Sequence, residues 1–322
     1  MSSILIRDND AVYINPPAST INIHLTEHGS DWYWAAFSLI AVSTLGYVVS
    51  AAFVPRRERI FHYFAIGAGM FASIAYFTMA SDLGSAGVST EFSHYQGGGV
   101  RQVFYARYIG WFMVSPLILA NVFMFSGVAW PTILMSLAAQ EIYVVAFLVA
   151  AVVSSSYKWG FFTFGICAWW LVIYHLIFVA FPSAKKQSSD IKKHVLIMIS
   201  GISFIWMLYP ISFGLSEGGN VISPDSEAAF YGVLDMISLP IFCSYFIFVS
   251  RKTSVERLGL AFDHGFKPAI GSLPMSEKQA ALEAGQARSE PERHSGETAV
   301  AQDESPAHSE VDPVNIPAEQ VV

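Results

Sequence analysis

The chain has 322 residues, 53% of them hydrophobic, 15% aromatic and only 13% charged. A soluble domain carries about 25% charged residues, so this composition, with a mean hydropathy of +0.45, excludes an ordinary soluble protein and points to a bilayer. The net charge of −7 describes no surface of one sign, because acid and base are segregated along the chain.

Residues 1–30, "MSSILIRDNDAVYINPPASTINIHLTEHGS", read as a polar extracellular leader broken by Pro16 and Pro17. It lacks a basic start followed by an apolar core, so no cleavable signal peptide is expected. A hydrocarbon layer about 30 Å thick takes about 20 apolar residues per helix. Seven such runs follow, at roughly 32–54, 61–81, 103–126, 130–152, 159–181, 192–214 and 228–250. They define an all-α transmembrane domain over 31–252. The links "PRRER", "SAKKQSSDIKK" and "SRKTSVER" fall on one side and hold most of the Lys and Arg. Basic loops face the cytoplasm, so the N-terminus is expected outside. "DWYWAAF" then sets Trp32, Tyr33 and Trp34 at the outer interface, where amphipathic rings favour the headgroup level.

Residues 253–322 change character. "SVERLGLAFDHGF" has the pattern of a short helix on the inner surface, and the remainder is acidic, rich in Glu, Ser, Ala and Pro, and almost without aromatics. Such a segment cannot bury enough apolar area to offset ordering entropy, so a mostly disordered cytoplasmic tail is expected. Cys167 and Cys243 both fall in apolar runs, which indicates neither a disulfide framework nor a zinc motif. No nucleophile–base set and no metal cluster stands out, so neither an enzyme nor a metalloprotein is indicated. Lone His175 in run five reads as a packed, hydrogen-bonded side chain, and Glu141 in run four as a second buried acid.

The residues with chemistry are few. Run seven, "AFYGVLDMISLPIFCSYFIF", contains Asp235, and an intramembrane carboxylate needs a partner or a purpose. One helical turn on, along the same face, stands Leu239, followed by Pro240, which cannot donate to the carbonyl of Met236 and predicts a bend. Run three carries Arg107, Trp111 and Pro116. Run six carries Trp206, Tyr209 and Pro210 within about one turn. A proline or an aromatic stripe alone in a membrane helix is ordinarily packing.

Together these residues resemble the microbial rhodopsins, seven-helix retinal proteins, over about Trp32 to Ser250. Arg107, Tyr108, Trp111 and Pro116 match the family's third helix, Trp206, Tyr209 and Pro210 its sixth, and Leu234 and Asp235 its seventh. Glu217 and Glu227, in "SEGGNVISPDSE", stand on the positions of its outer proton-release glutamates. The departures decide what the resemblance implies. Leu239 takes the place of the retinal lysine, Gly110 that of the proton acceptor, Val114 that of its neighbouring threonine, and Asn121 that of the proton donor. A retinal Schiff base requires an amine inside the bundle, whereas lysines 158, 185, 186, 192, 193, 252, 267 and 278 all lie in links, helix ends or the tail. Covalent retinal and light-driven pumping are therefore not expected, and no cofactor is assigned.

Lysine-lacking opsin-related proteins occur in fungi, and "IAYFTMASDLG" and "SPLILANVFM" resemble a heat-shock plasma-membrane branch of them. That resemblance implies a stress-linked, chaperone-like or regulatory plasma-membrane protein, with the proton-pumping ATPase as a partner besides the lipid bilayer. Nucleic acid is not an expected partner. The alternative is a noncovalent binder of a small apolar ligand, or an ion or proton carrier, using the aromatic pocket. On either reading Asp235 needs neutralising, and Arg107 is the expected ion-pair partner, with Tyr209 as a hydrogen-bond donor. Trp111 and Trp206 are expected to face each other across a central space, with Leu239 pointing into it. On that geometry Leu239→Lys would restore attachment, and Gly110→Asp would restore proton transfer.

Overall fold

The computed structural model describes residues 9–187 and 189–253. Among them are seven helices long and apolar enough to cross a membrane. They are α1 (Glu27–Ala52), α2 (Ile60–Ala80), α3 (Tyr105–Phe125), α4 (Trp130–Val152), α5 (Lys158–Lys185), α6 (Ser189–Gly218) and α7 (Pro224–Ser250). Each corresponds to one of the apolar runs, and several outrun theirs: α1 begins at Glu27, α5 continues to Lys185 and α6 to Gly218, and α7 begins at Pro224. The extensions at the end of α6 and the start of α7 carry Glu217 and Glu227 into the bundle, where both are buried. The surface inner helix and the tail expected beyond Thr253 lie outside the described residues.

Local chemistry fixes the helix starts. Ser223 is the N-cap of α7, where its hydroxyl accepts the Ser226 N–H at 3.1 Å, and Pro224 occupies the first helical turn, as capping geometry favours. Thr26 precedes α1 in extended conformation. Its N–H and hydroxyl donate to the Asp225 carboxylate at 2.9 and 2.7 Å, tying the start of α1 to the start of α7.

From Asn9 on, the described part of the leader packs onto the bundle. Ile23 and Leu25 are buried, Asn9 donates to Ser30 and Asp31, and Asn15 donates to the carbonyl of Ser81. Between α2 and α3 an antiparallel hairpin, β1 (Ala86–Ser89) and β2 (Val100–Val103), pairs Val88 with Arg101. Ile23 bridges the same Arg101 in parallel. The hairpin thus carries Arg101 and Gln102 to the mouth of the bundle.

Three spans contain a π turn: Leu176–Ala180 in α5, Gly214–Gly218 in α6 and Ile237–Ile241 in α7. The last holds Pro240. The chain accommodates the missing N–H by widening one turn, and the Pro240 carbonyl accepts the Tyr47 hydroxyl from α1 at 2.9 Å. Such turns concentrate at functional sites. α3 is the most enclosed span and α1 the most exposed, with 67% and 28% of their central windows buried. The chemistry therefore gathers around α3.

Candidate functional site

Two layers of buried polar side chains occupy the outer half of the bundle. In the outer layer Arg107 from α3 donates to Glu227 at 2.7 Å and to Glu217 at 3.0 Å. Its other terminal nitrogen donates to the Tyr33 hydroxyl at 2.8 Å, and its guanidinium lies 4.0 Å from the centroid of the Tyr231 ring. Arg101 donates to Glu227 at 2.7 Å, to Asn220 Oδ1 at 2.9 Å and to the carbonyl of Ile222 at 2.8 Å. Tyr108, Tyr231 and Ser216 donate to Glu217. Two guanidiniums thus face two carboxylates, all fully enclosed, an arrangement that offsets desolvation only when the remaining donors and acceptors are met.

The deeper layer is built on Asp235. Tyr209 donates to it at 2.6 Å and Trp111 Nε1 at 3.0 Å, and Tyr76 donates to its other oxygen. Its three donors are neutral. The expected Arg107–Asp235 ion pair is therefore corrected: Arg107 meets its charge on Glu217 and Glu227, and Asp235 is held by hydroxyls and an indole. The cause is the meeting of the end of α6 with the first turn of α7, which brings Glu217 and Glu227 over the guanidinium. Tyr209 does take its expected role as donor to Asp235.

Trp111 and Trp206 meet edge to face, with centroids 6.1 Å apart and planes at 88°; Tyr209 packs against Trp111 at 5.1 Å. The rings are in contact, which corrects the expectation of an open space between them. What remains is divided. A cavity of about 40 Å³ lies among Trp111, Trp206, Tyr209, Arg107, Gln140 and Tyr143, and one of about 10 Å³ lies among Tyr76, Gly110, Trp111, Val114, Asp235 and Leu239. By this measure a water takes roughly 10–15 Å³, so the two hold a few waters at most. Leu239 is buried and lines the smaller void. Pro210 is buried within α6, ahead of its π turn. Gly110 is a packing residue: a Cβ there would stand 2.6 Å from that of Ala75. Gly110→Asp therefore cannot be a simple restoration, because the α2–α3 approach leaves no room for a side chain.

Among the described residues no lysine lies in the middle of a span. Lys158 is buried at the outer end of α5, 3.8 Å from Glu91. Lys185, Lys186, Lys192 and Lys193 flank the α5–α6 link, and Lys252 follows α7. His175 hydrogen-bonds Ser136 at 2.8 Å. Glu141 is half-buried with one carboxyl oxygen unpartnered, and it borders an apolar groove with Phe161 and Phe164. Among the described residues no three His, Cys, Asp or Glu side chains form a metal-binding group.

Outside the spans, Asp82 is buried at positive φ and accepts from Gln102 at 2.7 Å. Burial pushes its carboxyl up to about 6, against the opposing effects of the Gln102 hydrogen bond and of His24.

Sequence reasoning missed several residues. Tyr33, expected at the interface, is buried and accepts from Arg107. Arg101 is buried with its neighbours Gln102 and Val103 on β2, so period-two alternation gives no signal for it. Tyr76 sits in an unremarkable apolar run and gave no signal.

A family model described as bacteriorhodopsin-like protein matches residues 28–251. The opsin-like protein carO of Fusarium fujikuroi is 43% identical over 79% of this chain and 85% of its own. The 30 kDa heat shock protein of Saccharomyces cerevisiae is 34% identical over 97% of this chain and 98% of its own. Among solved structures, the light-driven proton pump of Coccomyxa subellipsoidea is similar with a TM-score of 0.67 and 29% identity, over 70% of this chain and 98% of that one.

Proposed function

This chain belongs to the bacteriorhodopsin-like family, and from that premise we propose that it is a non-photoactive, stress-linked accessory protein of the plasma membrane, acting through contacts with another membrane protein. The observation that carries the reading is Leu239. It occupies the buried position on α7, beside Asp235 and Trp111, where the family's resemblance puts the chromophore's lysine. The position of every described lysine at a span end supports a chain without covalent retinal, and the cavity that Trp111, Trp206 and Tyr209 line, at about 40 Å³, is small for a polyene. The heat-shock protein similar over nearly the whole chain supports the link to stress. A chaperone-like or regulatory action on the proton-pumping ATPase is the partner assignment we make.

The test of the first half is spectroscopic. All-trans retinal added to the purified protein gives no red-shifted band and no retinyl adduct after borohydride; a covalent adduct overturns the reading. The partner is tested by crosslinking in native membranes, where recovery of the ATPase supports the assignment. The competing reading, a noncovalent ligand or a carried ion, rests on the aromatic cavity beside Trp206, whose Nε1 is unpartnered. At about 40 Å³ this cavity suits water better than an organic molecule. Mass spectrometry of organic extracts separates the two: a stoichiometric copurified ligand supports binding, and its absence supports the accessory role.

A further inference from the structure

A third cavity, of about 570 Å³, opens at the opposite, basic end of the bundle between α1 and α7. Its polar lining is Ser43, Tyr47, Ser50, Ser244, Arg251 and Lys252, with no carboxylate among its residues, and the Tyr47 hydroxyl is already held by the Pro240 carbonyl and Ser244. Arg251 and Lys252 follow the last membrane turn directly. Among the described residues neither forms an ion pair with a carboxylate. Lys252 Nζ stands 3.9 Å over the Phe248 ring, which holds the ammonium at the rim. Ser50 shares a hydrogen bond with His62 Nε2 at 3.3 Å. When the imidazole donates, the serine proton is free to point into the cleft. Toward the bilayer the lining becomes Ile247, Phe248 and Gly46, and a Cβ on Gly46 would meet nothing within 4 Å. The cleft is thus cationic and hydroxylic at headgroup depth, and apolar and open along the chain direction of a lipid.

We propose that this cleft binds an anionic phospholipid of the adjoining leaflet, its phosphate between Arg251 and Lys252 and one acyl chain in the seam beside Gly46. Charge complementarity selects the headgroup, and basic pockets between spans at the cytoplasmic surface are suited to it. The apolar continuation selects a lipid over a soluble phosphate, which would leave that part of the cleft unused.

The full chain is reconstituted in nanodiscs of equimolar phosphatidylcholine and phosphatidylserine, extracted, and its retained lipids counted by native mass spectrometry. The expected result is selective retention of phosphatidylserine. Arg251→Gln and Lys252→Gln each reduce it about fivefold, the size expected for one cation at an anionic surface. Gly46→Leu leaves every charge in place and fills an empty groove, so it keeps the fold and abolishes retention. Equal retention of both lipids overturns the site. Unchanged retention in Gly46→Leu overturns it too, because the attraction is then a diffuse surface effect. Displacement of the lipid by excess inorganic phosphate also overturns the assignment, by showing that a soluble anion occupies the cleft.

Discussion

Arg107 holds Glu227 at 2.7 Å from the opposite side of the bundle, 120 residues away in the chain, and this contact settles which acids carry the charge balance. Removing one partner of a buried pair costs about 3–5 kcal/mol, so Arg107→Gln is expected to be severe. Asp235→Asn keeps an acceptor for its donors and is expected to cost under about 1.5 kcal/mol. Double-mutant cycles on thermal unfolding will show stronger coupling of Arg107 to Glu227 than to Asp235. A larger coupling to Asp235 would restore the ion pair expected from sequence.

Gly110 and Ala75 set the spacing of α2 and α3. Ala is ordinarily better than Gly in a helix by about 1 kcal/mol. Here a Cβ meets that of Ala75 at 2.6 Å, and overpacking costs about 1–3 kcal/mol. Gly110→Ala is therefore expected to lower the melting temperature, and Ala75→Gly to rescue it in the double variant. A stabilising single substitution would show that the helices separate freely.

Asp82 makes stability depend on pH. Its folded value near 6 lies above the unfolded value of about 3.9, so the folded state binds more protons between these values. Stability therefore falls as pH rises from about 4 to 6 and stays lower above. Asp82→Asn keeps the acceptor for Gln102 and tolerates positive φ. It is expected to raise the melting temperature at pH 8 and change it little at pH 4. A variant gain that is equal at both pH values would assign the effect to something other than ionisation.

Leu239→Lys supplied with retinal is expected to give no pigment, because an amine at this position still faces the closed Trp111–Trp206 contact and a void of about 10 Å³. The visible spectrum checks it. A stable band absorbing beyond free retinal would mean that the rings part to admit the polyene.

The spans were legible because length and apolarity alone define them. Trp111, Trp206, Tyr209 and Asp235 were legible because rare residue types recur there at helical spacing. The partner of Arg107 was not. Its choice depends on where two helix ends more than a hundred residues later come to rest, the π turn Gly214–Gly218 that carries Glu217 and the first turn of α7 that carries Glu227. Tyr33 and Tyr76 were hidden for a simpler reason: a tyrosine in an apolar run has the same appearance whether its hydroxyl reaches the headgroups or a buried charge.

The π turn in α7 also governs how that helix is read as a repeat. Tyr231, Asp235, Leu239, Cys243 and Ile247 are all buried, and they follow one another at steps of four. In a regular helix each such step drifts by about 40°, so four steps swing the last residue roughly 160° round from the first. A strict periodic template would set Tyr231 toward the protein and Ile247 toward lipid. The wider turn at Ile237–Ile241 unwinds much of that drift, acting as a phase correction in the middle of the span. Any single-residue deletion within those five positions would cancel the correction and rotate the inner half of α7, with Cys243 and Ile247, away from the face it shares with Asp235.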